Sequence, residues 1–225
     1  MTKAGAIAVL AALLLCSGTL DAQEQDFQSW WELGVEKQLS RDVDLGLELE
    51  QRFKSNSTRY DRSLMTISAG WGALDYLDVG GGLRVLTVMD DENGIGSRFR
   101  LHTDATGKYT LAPVRLSLRA RLQYGFEEVI YLTDMSFNVL VNRLRLKAAH
   151  DFFGSRYSAF ASMESWGLFY NQDGRFFKRM RYTAGMSYRL NMHSALQARL
   201  MLEDEFHQPR PKDTWVLVLG YSCSL

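Results

Sequence analysis

Residues 214–225 alternate between large apolar side chains and smaller, more polar ones with a period of two. One face carries Trp215, Leu217, Leu219, Tyr221, Cys223 and Leu225, and the other carries Thr214, Val216, Val218, Gly220, Ser222 and Ser224. Because successive side chains of a β-strand point to opposite faces of the sheet, this period predicts a strand and not a helix. One face of that strand is suited to lipid, and the other is not.

The same alternation recurs from Phe27 onward. Residues 43–54 show it most clearly, with Val43, Leu45, Leu47 and Leu49 on one face and Asp44, Glu48, Glu50 and Arg52 on the other. A helix would scatter these charges around its whole surface. The pattern gives eleven segments, although bacterial single-chain barrels in the outer membrane have an even number of strands. Two alternatives follow: the Phe27 segment lies apart from a ten-stranded wall, or one further strand makes twelve.

Composition supports a barrel that crosses a membrane with strands. The chain has 225 residues, of which 46% are hydrophobic, yet its mean hydropathy is only -0.19. No run beyond the N-terminal region is apolar enough to span a bilayer as a helix. We therefore predict an all-β fold, a transmembrane antiparallel up-and-down β-barrel of about 10–12 strands. Lysine plus arginine equals aspartate plus glutamate at 26 each, so no basic excess points to nucleic acid.

Connection lengths predict how the barrel is oriented. Short turns are expected at residues 40–42, 74–75, 111–113 and 191–193, longer loops at residues 55–62, 89–97, 127–135 and 167–175, and a further loop at residues 207–213. Short periplasmic turns and longer external loops are typical of outer-membrane barrels. The last strand would then end in the periplasm. All three prolines, Pro113, Pro209 and Pro211, fall in predicted connections, where no strand interior loses a backbone N–H group.

The N-terminal region predicts export. Lys3 precedes an apolar run over residues 4–15, and Ala22 offers a small residue for cleavage. We interpret residues 1–22 as a cleaved signal peptide and residues 23–225 as one outer-membrane barrel domain. Cys16 could instead be the acylated cysteine of a lipoprotein, but Leu15 precedes it where a small residue is required.

Charged faces are predicted to line the lumen, because an Arg or Lys on the lipid side at the bilayer midplane costs roughly 2–4 kcal/mol. Two interpretations of these residues stay open: a network of ion pairs that fills a narrow barrel, which we favour, or a basic path that passes anions. The candidate residues for either role are Glu48, Glu50, Arg84, Arg119, Arg121, Arg143, Arg145, Glu164, Arg179, Arg181, Arg199 and Glu203.

A catalytic constellation has little support in the sequence. Of the four histidines, only His102 falls on an inner face, two residues from Asp104, and no spacing identifies a nucleophile or a metal site. We expect a non-enzymatic protein without a cofactor, and a lipid-modifying enzyme is the weaker alternative. A soluble ligand-binding barrel is weaker still, because it would place its apolar faces inside.

Several segments resemble one known family. They are the pair Trp30 and Trp31, residues 47–53 (LELEQRF), residues 119–124 (RARLQY), residues 142–147 (NRLRLK), Glu164, and residues 181–190 (RYTAGMSYRL). Over essentially the whole mature chain, these segments resemble the small outer-membrane barrels of domain of unknown function 2490.

The resemblance implies an outer-membrane location but no known activity or catalytic residue. Outer-membrane lipids, lipopolysaccharide and the barrel-assembly machinery, which recognises a C-terminal strand, are the expected partners, and no oligomeric state is implied. Leu225 departs from the pattern, since such barrels more often end on an aromatic residue. The expected function is an unspecified envelope or surface-interaction role.

Overall fold

The computed structural model describes residues 24–90, 94–128, 139–168, 177–205 and 212–225. The predicted signal peptide at residues 1–22, Pro209 and Pro211 lie outside these ranges. The described residues form eleven strands: β1 (Glu24–Gln38), β2 (Val43–Lys54), β3 (Arg59–Leu74), β4 (Leu77–Asp90), β5 (Gly94–Leu111), β6 (Val114–Glu128), β7 (Val139–Asp151), β8 (Tyr157–Leu168), β9 (Phe177–Arg189), β10 (Ser194–Glu205) and β11 (Lys212–Ser224).

The strands close into a single barrel, which confirms the predicted all-β barrel fold. Neighbouring strands along the chain pair antiparallel, whereas β1 and β11 close the barrel in parallel, from Glu24 opposite Lys212 to Glu36 opposite Ser224. Both alternatives for the strand count are therefore wrong for the described residues. Phe27 belongs to β1 inside the wall, and a parallel closing pair is what permits an odd number of strands.

The barrel has two distinct ends. We call the end with the connections at residues 39–42, 75–76, 112–113, 152–156 and 190–193 the turn end, and the opposite end, where β1 begins, the loop end. Several strands reach farther toward the loop end than the sequence predicted, because β3 begins at Arg59, β4 ends at Asp90 and β5 begins at Gly94. Strand pairing continues there without apolar alternation, since ladder hydrogen bonds do not require an apolar face.

Large apolar side chains cover the outside of the barrel. The exposed set includes Trp31, Leu47, Leu49, Ile67, Trp71, Leu83, Leu101, Leu122, Leu144, Leu146, Met163, Met186, Leu200 and Trp215. Their chain neighbours point inward and are more buried: Trp30, for example, is 4% exposed and Trp31 is 53% exposed. No helix among the described residues has the length and hydropathy needed to cross a bilayer.

Glycine gives interior side chains room at the wall. A Cβ atom at Gly185 would lie 2.8 Å from Cζ of Phe160 and 2.8 Å from Cγ of Arg199. Any larger residue at position 185 would therefore push both side chains away from the wall. Gly185 thus fixes how Phe160 lies against the neighbouring strand, and Phe160 in turn borders the interior cavity described below.

Candidate functional site

Glu164 on β8 is the centre of an ion-pair cluster inside the barrel. Its Oε1 accepts from Nη2 of Arg119 at 2.8 Å, and its Oε2 accepts from Nη2 of Arg143 at 2.7 Å. Nη1 of Arg181 lies 3.7 Å from the same Oε2, and Arg181 also binds Glu203 on β10. Arg181 on β9 lies directly opposite Glu164 on β8 and directly opposite Glu203 on β10. Opposite charges therefore alternate across these three strands, and such cross-strand pairs stabilise a sheet.

Two tryptophans pack against these arginines. The Trp166 indole Nε1 donates to Oε2 of Glu164 at 3.3 Å, and the guanidinium carbons of Arg143 and Arg181 lie 3.9 Å and 5.1 Å from its ring centroids. The guanidinium carbon of Arg52 lies 3.5 Å from the Trp30 ring centroid. Such distances allow cation–π attraction, which is stronger where water is excluded. We call the following residues the arginine–tryptophan layer: Trp30, Glu50, Arg52, Arg143, Glu164, Trp166, Arg179, Arg181 and Glu203.

Further ion pairs join strands around the interior. Arg84 donates to Oε1 of Glu48 at 3.1 Å and to Oγ1 of Thr66 at 2.7 Å. Arg199 on β10 binds Glu32 on β1, and the contact therefore spans β11, which lies between these two strands. Arg179 on β9 binds both Glu203 and Glu205 on β10, whereas the pair of Arg52 with Glu50 lies within β2.

His102 does not form a catalytic pair in this arrangement. Its Nε2 lies 3.9 Å from Oδ2 of Asp104, beyond hydrogen-bonding distance, while Arg121 holds Asp104 through two contacts of 2.6 Å. Among the described residues, His102 makes no hydrogen bond to a serine, threonine or cysteine. The same residues contain no group of three or more His, Cys, Asp or Glu side chains that would hold a metal ion. Within the described residues, His102 thus has no contact of the kind that joins a catalytic base to its nucleophile.

A cavity of about 460 Å³ lies between the arginine–tryptophan layer and the turn end. Asp44 and Asp78, the second residues of β2 and β4, place its boundary close to the turns. Its walls contain most of the sequence-predicted site residues, namely Glu48, Glu50, Arg84, Arg119, Arg121, Arg143, Arg145, Glu164, Arg181 and Arg199. Arg179 and Glu203 do not line it; they lie nearer the loop end, in the layer.

Arg145 differs from the other predicted arginines. Within the described chain it makes no ion pair or hydrogen bond, and its Nε atom is buried without a partner. Arg119, Arg143 and Arg181 also leave Nε unbonded, but each of them binds a carboxylate through a terminal nitrogen. In the described part of the cavity wall, Glu32, Glu48, Glu50 and Glu164 are thus each paired with an arginine, and Arg145 has no carboxylate partner.

Arg52 and Trp166 belong to the layer but were absent from the predicted site. Trp166 continues the inward alternation of Ser162 and Glu164, and it was missed because a loop was expected from residue 167. Arg52 shares the inner face of β2 with Glu48 and Glu50, but the sequence does not show that it stacks on Trp30 of the next strand. Alternation therefore gave the faces of these residues but not their partners.

The described residues define a closed β-barrel with an apolar outer surface and an interior crossed by ion pairs. The chain belongs to the family described as protein of unknown function (DUF2490), whose model matches residues 27–213. Among solved structures, the barrel is similar to LpxR from Salmonella typhimurium, with a TM-score of 0.51 and 12% sequence identity over 84% of each chain. At this identity the similarity concerns the fold alone. No curated protein sequence matches the chain.

Proposed function

We propose that this protein is an integral outer-membrane barrel without enzymatic activity, which serves an envelope or surface-interaction role. The proposal rests on one observation, the band of apolar side chains on the outside of the described strands. Soluble monomers rarely expose contiguous apolar patches beyond a few hundred Å². A bilayer would cover this band, and outer-membrane lipids and lipopolysaccharide are the partners that it fits.

Orientation is the second part of the proposal. We place the turn end in the periplasm and the loop end outside, in line with the usual short periplasmic turns of such barrels. In this orientation β11 ends at the periplasmic side, where the assembly machinery would meet the last strand. The arginine–tryptophan layer would obstruct the external half of the lumen, which favours a structural interior over an open pore.

Cell fractionation and gel mobility test the membrane assignment. We expect the protein in the outer-membrane fraction, resistant to extraction by carbonate, and we expect unboiled and boiled samples to migrate differently because a closed barrel resists detergent unfolding. A soluble protein with the same mobility before and after boiling would contradict the proposal. A known periplasmic protein and a known porin in the same lysate supply the two reference behaviours.

An anion-preferring channel is the second candidate, because the cavity walls carry more Arg and Lys side chains than Asp and Glu side chains. Planar-bilayer recordings of refolded protein separate the two. The leading proposal expects folded protein without single-channel steps. Anion-selective steps that decrease in Arg119→Ala or Arg145→Ala would favour the channel instead.

A lipid-modifying activity has less support. His102 is only 7% exposed and points into the barrel, away from the lipid-facing surface. If the wild-type protein turned over labelled envelope lipid and His102→Ala did not, the lipid-modifying activity would be favoured over the proposed non-enzymatic role.

A further inference from the structure

We infer that the interior cavity binds a small soluble solute through an oxyanion group, a phosphate or a carboxylate, held by Arg145 and Lys147 of β7. This inference goes beyond the proposed function, which assigns no ligand. It rests on the unpaired charges of the cavity, on the groups beside them, and on the obstruction of the loop-end side by the arginine–tryptophan layer.

Arg145 has an obvious protein partner that it does not bind. Glu164 lies directly opposite it in the β7–β8 register, but the two carboxylate oxygens of Glu164 bind Arg119 and Arg143. On the other side, the residue opposite Arg145 is Arg119, a like charge. Like charges directly opposite one another destabilise a sheet, and a buried charge without a partner is costly. A bound anion would relieve both conditions.

Lys147 adds a second unpaired cation on the same face of β7, two residues away. In the described residues its ammonium group makes no ion pair, and its Nζ lies 4.3 Å from the Phe160 ring centroid. Ser117 and Ser162 are its cross-strand neighbours, and Ser162 lines the cavity together with Arg145 and Lys147. A guanidinium, an ammonium and a hydroxyl facing one space are hydrogen-bond donors suited to an oxyanion.

The size and access of the cavity select a soluble ligand. Its volume of about 460 Å³ falls in the common range for small-molecule sites, roughly 300–1,000 Å³. The barrel wall is continuous, so a lipid headgroup in the bilayer has no path to Arg145. Because the arginine–tryptophan layer lies on the loop-end side, a solute would enter from the turn end.

Calorimetric titration of the folded, full barrel in micelles tests the site, with inorganic phosphate in one arm and citrate in the other. We expect saturable binding of at least one probe, weakened tenfold or more in Arg145→Gln and in Lys147→Gln. Arg156→Gln is the matched control, because Arg156 is an exposed arginine in the turn at residues 152–156 and should leave binding unchanged. The arm that binds identifies the phosphate or the carboxylate class.

Three results would overturn the inference: no binding of either probe to folded wild type, equal binding by both interior variants and wild type, or an identical response to chloride at matched ionic strength. Thermal unfolding checks that the variants fold. Without probe, Arg145→Gln should melt no lower than wild type, because it removes an unpaired cation; with probe, only wild type and Arg156→Gln should gain in Tm. Membrane fractionation does not depend on the probe, so failure here leaves the membrane assignment standing.

Discussion

Arg143 and Trp166 are direct cross-strand partners that stack and share one acceptor. The guanidinium carbon of Arg143 lies 3.9 Å from the Trp166 ring centroid, and both side chains donate to Oε2 of Glu164. Arg143 is 7% exposed and Glu164 is 3% exposed, so little water is available to replace this carboxylate. The stability of the loop-end half of the barrel should therefore depend strongly on Glu164.

Glu164→Gln should lower the free energy of unfolding by about 3–5 kcal/mol, because it leaves Arg119 and Arg143 without their buried counter-charge. Denaturant unfolding of the refolded barrel, followed by tryptophan fluorescence, measures this change. Glu48→Gln is the control: Glu48 pairs with one arginine and its side chain is 43% exposed, so the loss should stay within about 1 kcal/mol. Equal losses in the two variants would contradict the central role of Glu164.

The adjacent tryptophans Trp30 and Trp31 should report on opposite environments. Trp31 is exposed on the outer face, whereas Trp30 is buried in the layer. In vesicles that contain brominated lipid, Trp31→Phe should therefore reduce the quenched part of the fluorescence, and Trp30→Phe should not. Quenching that is lost in Trp30→Phe would mean that the faces of β1 are reversed.

A charge on the outer face should be tolerated only outside the lipid-covered band. Leu144 lies in the middle of β7 and points outward, so Leu144→Arg should cost roughly 2–4 kcal/mol of stability in lipid vesicles. Leu39, at the turn after β1, is equally exposed but lies at the turn end, where Leu39→Arg should cost less than about 1 kcal/mol. Folding yield and urea midpoints in vesicles measure both variants, and similar midpoints would argue against a bilayer around β7.

The proposed orientation predicts which segments antibodies reach on intact cells. An epitope placed directly before Glu24 lies at the loop end and should be labelled without permeabilisation. An epitope inserted after Gly154, in the turn between β7 and β8, should be labelled only in permeabilised cells. The reverse labelling pattern would show that the loop end faces the periplasm, and it would contradict the proposed orientation but not the fold.

The strands and their inward faces could be predicted from the sequence because a period of two is a local property. In β2, the alternation of Leu47 and Leu49 with Glu48 and Glu50 needs no knowledge of any neighbour. The ends of the strands were harder to predict from the sequence. Arg59 and Gly94 begin strands, although the sequence around each of them predicts a loop. Near the start of β3, the adjacent residues Asp61 and Arg62 put charges on both faces of the strand, so the alternation is lost before the pairing ends.

Partners could not be predicted, because they depend on register and on competition between side chains. The sequence placed Arg119, Arg143 and Arg145 on one inner surface with Glu164 as a natural counter-charge, but not which two of the three the carboxylate would bind. The alternation also did not predict whether the first and last strands pair in parallel or antiparallel. Alternation in β1 and β11 is identical whether the two strands run in parallel or antiparallel.

The parallel pairing of β1 with β11 means that the chain enters the barrel at one rim and leaves it at the other. In a bilayer, Glu24 and Ser224 would then face different aqueous compartments. No short linker could join them into a circular permutant, since it would have to cross the full height of the wall. A fusion at one rim and a fusion at the other would accordingly place their cargoes on opposite sides of the same membrane.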